Sequence, residues 1–230
     1  MKHAPELMQI GVFFLILSLS LYAGETPEPI RRSSAAYESE RKFLKNYRVV
    51  QDILSETRFG GTPQIEKRKQ MGYFVAPNKF FFFPKEKSIN NSSIMIKPNE
   101  MEKSVRTELE WISSSGLQKY EFSLLEEGIN QLHYSVSPKY DFPGATRGEL
   151  WIQKENGKLL RIFKEPFKKK EGMESLKTEV YFDYNMKYQE PSFTRLHAIV
   201  LDRNQRIETK VEVIFSNYEF NVDLQKNLTQ

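Results

Sequence analysis

Two histidines inside alternating stretches are the first side chains in this sequence able to do chemistry. His133 stands between Leu132 and Tyr134, and His197 between Leu196 and Ala198. Each falls opposite the apolar set of its stretch, which is a surface or rim position, and a metal site would need both to converge with a carboxylate. His3 lies in the amino-terminal leader. The acidic pairs Glu126-Glu127 and Glu38/Glu40 are placed in a loop and on a helix surface, and nothing in their spacing favours glycosidase-type pairing. Ser113, Ser114, Ser115 and Gly116 read as a flexible hairpin turn rather than a nucleophile elbow. The chain has no cysteine, which removes disulfides, thiol nucleophiles, thiolate metal sites and a lipidated amino-terminal Cys. No metalloprotease helix, phosphate-binding loop or dinucleotide fingerprint occurs. The expectation is a protein that is not an enzyme, with no catalytic residues, no metal and no cofactor. An enzyme whose acids meet only through folding is the competing class.

The elements that must position whatever site exists are bounded first by composition. At 230 residues with 13% aromatics, one domain with a sizeable core is expected. Lys and Arg (34) nearly balance Asp and Glu (30), so a net charge of +4 and a pI near 9.0 do not imply nucleic acid. The basic runs at 66–69 and 168–170 read as solvated turns, since no aromatic and glycine framework of the RNA-binding kind surrounds them.

Lys2 and His3 precede an apolar run over residues 10–23, IGVFFLILSLSLYA. It is shorter than the ~20 residues that cross a bilayer as a helix and has the length of a signal-peptide core. Residues 1–23 are therefore expected to be a signal peptide, cut after Ala23 or Gly24, with an uncleaved anchor as the alternative. Either way the body is exported to the periplasm or another extracytoplasmic space. Residues 24–32, with Pro27 and Pro29, are expected to be a flexible mature tail, 33–222 a single domain, and 223–230 a carboxy-terminal tail.

Ser33 and Ser34 are candidate caps for an amphipathic helix over 33–59. That helix would carry Tyr37, Phe43, Leu44, Tyr47, Val50, Ile53 and Leu54 and stop at Gly60-Gly61. From Gln64 the period becomes two. Leu176, Thr178, Val180, Phe182 and Tyr184 alternate with Lys177, Glu179, Tyr181 and Asp183, and the same pattern recurs at 120–124, 132–136, 196–200 and 207–215. Turn residues at roughly 8–12-residue spacing separate these runs, which predicts a mostly antiparallel sandwich or barrel of about eleven strands. Residues 84–106 read as a loop pair around a short strand at 94–96. Asn156-Gly157 predicts a two-residue type I′ hairpin turn inside 150–163. That register puts Trp151, Leu160 and Ile162 on one face and Leu150, Ile152, Leu159 and Phe163 on the other. Phe80, Phe81, Phe82 and Phe83 likewise send two rings each way. A sheet apolar on both faces needs a second cover, and the helix is the candidate.

The helix followed by residues 70–80, QMGYFVAPNKF, resembles the lipoprotein-carrier (LolA-like) superfamily, in which a strand and a Pro-x-(Lys/Arg)-aromatic step follow the helix. The run from Tyr120-Glu121-Phe122 through Leu132-His133-Tyr134 and Pro138-Lys139, then Gly148-Glu149-Leu150-Trp151-Ile152, Asn156-Gly157-Lys158, Arg161, Tyr181 and Pro191, is similar to the outer-membrane lipoprotein-sorting group of that superfamily. The resemblance covers residues 33–220. It implies a strongly curved, incomplete antiparallel β-barrel with helical cover, enclosing a cavity for acyl chains. The chain departs from the pattern in lacking the lipidated cysteine of the membrane-anchored branch and in showing one strong helix where soluble carriers have more. No contact residue of the group carries over.

The expected lining, chosen from the apolar pattern, is Leu44, Tyr47 and Leu54 from the helix with Phe74, Phe80, Phe82, Trp111, Trp151, Leu160 and Ile162 from the sheet. The expected function is a monomeric exported carrier or sorting protein that holds a lipid or lipoprotein acyl chain, with envelope membrane proteins as candidate further partners. The alternative is an envelope protein-binding or stress-sensing module with a filled core.

Overall fold

The computed structural model describes residues 25–76, 79–89, 92–94, 102–105, 109–203 and 205–223. The expected signal peptide lies outside the described residues, as do all but residue 223 of the expected carboxy-terminal tail and the 94–96 strand beyond Ile94. The element order is α1 (Glu28–Phe43), β1 (Asn46–Phe59), β2 (Gln64–Val75), β3 (Lys79–Ile89), β4 (Ser92–Ile94) and β5 (Glu102–Val105). A helical turn (Glu110–Ile112) and α2 (Ser114–Lys119) follow, then β6 (Tyr120–Glu127), β7 (Gln131–Pro138), β8 (Thr146–Gln153), β9 (Leu159–Pro166), β10 (Met173–Phe182), β11 (Pro191–Asp202) and β12 (Gln205–Phe220). No described helix is long and apolar enough to cross a membrane.

The strands form one twelve-stranded antiparallel sheet in the order β4-β3-β2-β1-β12-β11-β10-β9-β8-β7-β6, with β5 also pairing with β3. Among the described residues β4 and β6 do not pair, so the sheet stays open. The fold is therefore mainly β with an amino-terminal helix on an incomplete antiparallel sheet, the class expected from the alternation.

The helix differs from its expected limits at both ends. It begins at Glu28, inside the stretch expected to be a tail, because Pro29 falls in the first turn, where a missing N–H costs nothing. Glu28 at its start and Arg41 and Lys42 at its end suit the helix dipole. It ends at Phe43, and residues 46–59 are strand β1. Tyr47, Val50 and Leu54 fit a helical period, but Tyr47, Val49 and Gln51 are buried at period two. The stretch also carries β-branched Val49, Val50, Ile53 and Thr57. Pairing decides it, since β2 lies along one edge and β12, from the far end of the chain, along the other.

One face of the sheet, here the inner face, is partly covered by α1 and α2. Beneath the amino-terminal half of α1, Ile30 packs with Trp111, Ile112, Tyr120, Leu150, Ile152, Leu159, Ile162 and Val180, all at most 2% exposed. Ser113, expected in a flexible hairpin turn, instead caps α2: its Oγ accepts from Gly116 N at 3.1 Å. At the other end of α1, Leu44, Tyr47, Val49, Phe74 and Tyr188 form a second cluster.

The hairpin expected at 150–163 is present as β8 and β9, with a different turn. The loop is residues 154–158: Gly157, at φ +72°, donates its N–H to Gln153 O, and Asn156 Oδ1 accepts from Lys158 N. A bulge follows between Trp151 and Ile152, so Trp151 pairs with Arg161 and Leu150 with Ile162. Ile162 consequently joins Leu150, Ile152 and Leu159 in the core, and it does not share a face with Trp151 as the two-residue turn had predicted. Trp151 faces outward, its ring stacked on His133 at 4.2 Å and under the Arg161 guanidinium at 4.6 Å.

Candidate functional site

Beside the second cluster, the inner faces of β1, β2, β3, β11 and β12 leave a cavity of about 260 Å3. Alternation builds its walls. Tyr47, Gln51 and Ile53 come from β1, Gln70 from β2, Phe80 and Phe82 from β3, Pro191 and Thr194 from β11, and Val213 and Phe215 from β12. Register brings them together, with Gln51 opposite Gln70 and Phe215, and Val213 opposite Ile53 and Thr194. Phe80 and Phe82 stack at 5.7 Å, nearly parallel. Gly72, opposite Phe82, is free of a side chain where a Cβ would stand 3.2 Å from Val49 Cγ1. The bulge at Lys69/Gln70 lies opposite Pro84, which has no N–H for the ladder.

The lining is apolar except for Thr194, the Tyr47 hydroxyl and the two carboxamides, and it holds no charged side chain. Gln51 and Gln70 are 5% and 4% exposed, and Gln70 Nε2 donates to Gln51 Oε1 at 2.6 Å. Beyond the cavity the inner face continues over Val211, Leu196, Ala198 and Leu176, all half-buried and interleaved with Ser55, Thr178 and Thr209, while Arg68 of β2 stands opposite Ile53 on the same face.

A buried polar support stands behind the cavity. Tyr47, stacked on Phe74 at 4.9 Å, donates its hydroxyl proton to Glu190 Oε2 at 2.7 Å, and Glu190 is 1% exposed. Arg41 of α1 lies over the Phe74 ring at 4.7 Å with its Nη1 3.9 Å from Glu190 Oε1. Neighbouring Glu40 accepts from Gln189 N, and burial, the largest influence on it, pushes its carboxyl above the usual range. Replacing Tyr47 by Phe keeps the ring and deletes one hydrogen bond to a buried carboxylate. Urea denaturation is expected to show a loss of about 1.5–3 kcal/mol, the range for bonds to charged groups. Unchanged stability would show that the Tyr47–Glu190 bond holds nothing.

Of the ten residues expected to line a cavity, Tyr47, Phe80 and Phe82 do. Phe74 and Leu44 pack directly behind them. Trp111 and Ile162 are in the filled core under α1, with Trp111 Nε1 donating to Thr146 Oγ1. Trp151 is on the outer face, Leu160 borders a polar surface hollow with Lys154 and Glu155, and Leu54 is 40% exposed. The space beneath the helix at the Trp151 hairpin is therefore solid, and the hollow lies further along the sheet. The alternating run 207–215 already marked Val213 and Phe215 as one apolar face. Gln51 and Gln70 gave no signal, because a polar residue at an inner position looks like an outer one until register is known.

His133 and His197 each pair with one glutamate, Glu149 at 3.0 Å and Glu208 at 2.9 Å. Among the described residues no group of three or more His, Asp or Glu is placed to hold a metal ion.

No family model and no curated protein matches the chain. Solved structures similar to it include a LolA superfamily protein from Nitrosomonas europaea, at 9% identity and a TM-score of 0.42, over 86% of this chain and 97% of that one. Another is a domain assigned to the outer membrane lipoprotein-sorting proteins, from Vibrio parahaemolyticus, at 14% identity and a TM-score of 0.43, over 84% and 94%. These are the groups that the sequence resembles. At such scores the likeness is one of outline, and the functional reading rests on the cavity.

Proposed function

We propose that this protein is an exported, non-enzymatic carrier or sorting protein that holds an acyl chain of a lipid or lipoprotein in the inner-face cavity. The observation that carries the reading is a hollow of about 260 Å3 walled by Ile53, Phe80, Phe82, Val213 and Phe215 and leading onto a half-buried sheet face that carries Val211, Leu196 and Leu176. Its volume lies just below the ~300–1,000 Å3 of sites that enclose whole drug-sized molecules, which suits one chain segment rather than a complete phospholipid. Each methylene taken from water contributes about 0.8 kcal/mol, so a chain is held without a charged anchor. The apolar run at 10–23 supports export.

The experiment is native mass spectrometry with lipid extraction on protein purified from its envelope, followed by uptake of an uncharged fluorescent acyl probe. Co-purifying acyl species and saturable uptake are the expected results. Protein that is consistently empty and takes up no probe would end the reading. The second reading, a protein-binding module without lipid, is favoured by one observation: the space between α1 and the central strands is filled. Empty protein that crosslinks to one specific envelope protein in intact cells would establish it.

A further inference from the structure

Where the cavity gives way to the open sheet, β2 sets two opposite charges on the inner face. Along β1 from Tyr47 to Thr57, the inner-face positions and their described ladder partners on β2 and β12 are uncharged but for Arg68 and Glu66, opposite Ile53 and Ser55. Ile53 and Gln70 are walls of the cavity. Arg68 stands opposite the first and two residues along the same strand face from the second, which puts it at the rim. Its other ladder partner is Lys87 of β3. Arg68 donates from Nε and Nη2 to Glu66 Oε1, at 3.4 and 3.1 Å, and the two side chains are 24% and 23% exposed. Each therefore keeps surface that a ligand atom can touch. An ion pair open to water contributes little to stability, so holding the fold together does not account for this one.

We infer that Arg68 and Glu66 form a head-group subsite at the cavity rim, for an acyl ligand whose polar end is zwitterionic, a phosphate with an ammonium two carbons away. This deepens the carrier reading and rests on it: the methylenes fill the cavity, and the pair reads the end left outside. The phosphate meets the Arg68 guanidinium, whose planar fork of N–H donors matches phosphate oxygens, and the ammonium meets the Glu66 carboxylate. The pair need not break to make these contacts, since four charges alternating in sign around a square attract along every side. A phosphate without the ammonium is drawn by Arg68 and repelled by Glu66. An uncharged glycerol end gains neither contact.

The test uses three ligands with one lauroyl chain each, monolauroylglycerol, lysophosphatidic acid and lysophosphatidylethanolamine, as competitors for the fluorescent acyl probe on the purified protein. Lysophosphatidylethanolamine is expected to displace the probe at about tenfold lower concentration than monolauroylglycerol, the gain of two charge-assisted contacts at a partly wet site, with lysophosphatidic acid between them. Glycerophosphoethanolamine, the same head without the chain, is expected not to compete. In Arg68→Gln the advantage of lysophosphatidylethanolamine should vanish while monolauroylglycerol competes as before. In Glu66→Gln lysophosphatidic acid should draw level with it. Equal competition by lysophosphatidylethanolamine and monolauroylglycerol on the unaltered protein would overturn the subsite while leaving the acyl reading standing. Lysophosphatidic acid as strong as lysophosphatidylethanolamine there would overturn the zwitterionic assignment, and so would a chainless head group that competes as well. Displacement by none of the three, with no uptake of the probe, would overturn both readings. Should Arg68→Gln fail to fold, Glu66→Gln and the comparison on the unaltered protein decide without it. An advantage that persists in folded Arg68→Gln also overturns the subsite.

Discussion

Gly148→Ala is expected to unfold most of the protein in water, or to leave it so marginal that urea removes it at the lowest concentrations. Gly148 lies in β8 between Val136 of β7 and Lys164 of β9. Its φ is +154°, and a Cβ there would stand 2.0 Å from the carbonyl oxygen of Phe163 and 2.9 Å from its carbon. Both are backbone atoms, so no rotamer relieves the contact. Only separating β9 from β8 does, and that pair carries Leu150 and Ile162, each 0% exposed in the main core. The loss should reach about 4 kcal/mol or more, the exceptional range for one substitution, against a total of about 5–15 kcal/mol for an ordinary domain. Gly61→Ala is the control. Nothing lies within 4 Å of a Cβ at Gly61, so its effect should stay within about 0.5 kcal/mol. Fluorescence of Trp111 and Trp151 during urea denaturation reads both variants, and a Gly148→Ala protein within about 1 kcal/mol of the parent would show that the strands part at little cost.

Gly148 also shows what was and was not legible beforehand. It opens the Gly-x-Leu-Trp-Ile run that carried the family resemblance, yet the need for glycine comes from Phe163, fifteen residues away and on another strand. The strands from β6 onward could be read because a half-buried strand writes a period of two into its own residues. The 46–59 stretch could not, because Tyr47, Val50 and Leu54 satisfy a helical period as well, and what settles it is pairing to β12, over 140 residues later. The hairpin was legible as a hairpin, since Asn156-Gly157 marks a reversal. The reach of Gly157 N back to Gln153 and the bulge at Trp151/Ile152 are set by the surrounding packing, and a shift of one residue moves Ile162 to the opposite face. The site suffered most from this. Apolar alternation identifies side chains that leave water but not which of them meet others, so Trp111 and Ile162 are as apolar in sequence as Phe80 and Phe82, and only the latter border a hollow.

Val213→Trp is expected to abolish uptake of the acyl probe, with a rise of at least tenfold in the concentration needed, while Ile214→Trp leaves it unchanged. The two positions are adjacent on β12 and point to opposite faces. Val213 stands between Ile53 and Thr194 in the cavity wall, whereas Ile214, between Asp52 and Phe193, is 54% exposed on the outer face. An indole at 213 has the hollow itself to enter, so it occupies the volume that a chain segment would take and need not push into packed core. That separates loss of binding from loss of fold: thermal midpoints of the two variants should agree within a few degrees. Tryptophan on the same strand, one residue over, adds as much apolar surface to the protein, so a difference in uptake cannot come from general stickiness. If both variants bind the probe as the parent does, the ligand sits elsewhere, and the half-buried surface over Val211, Leu196 and Leu176 becomes the place to substitute next. If both lose it while keeping their midpoints, uptake depends on the outer face as well. The inner cavity would then not be sufficient to hold the chain, against the arrangement of the walls.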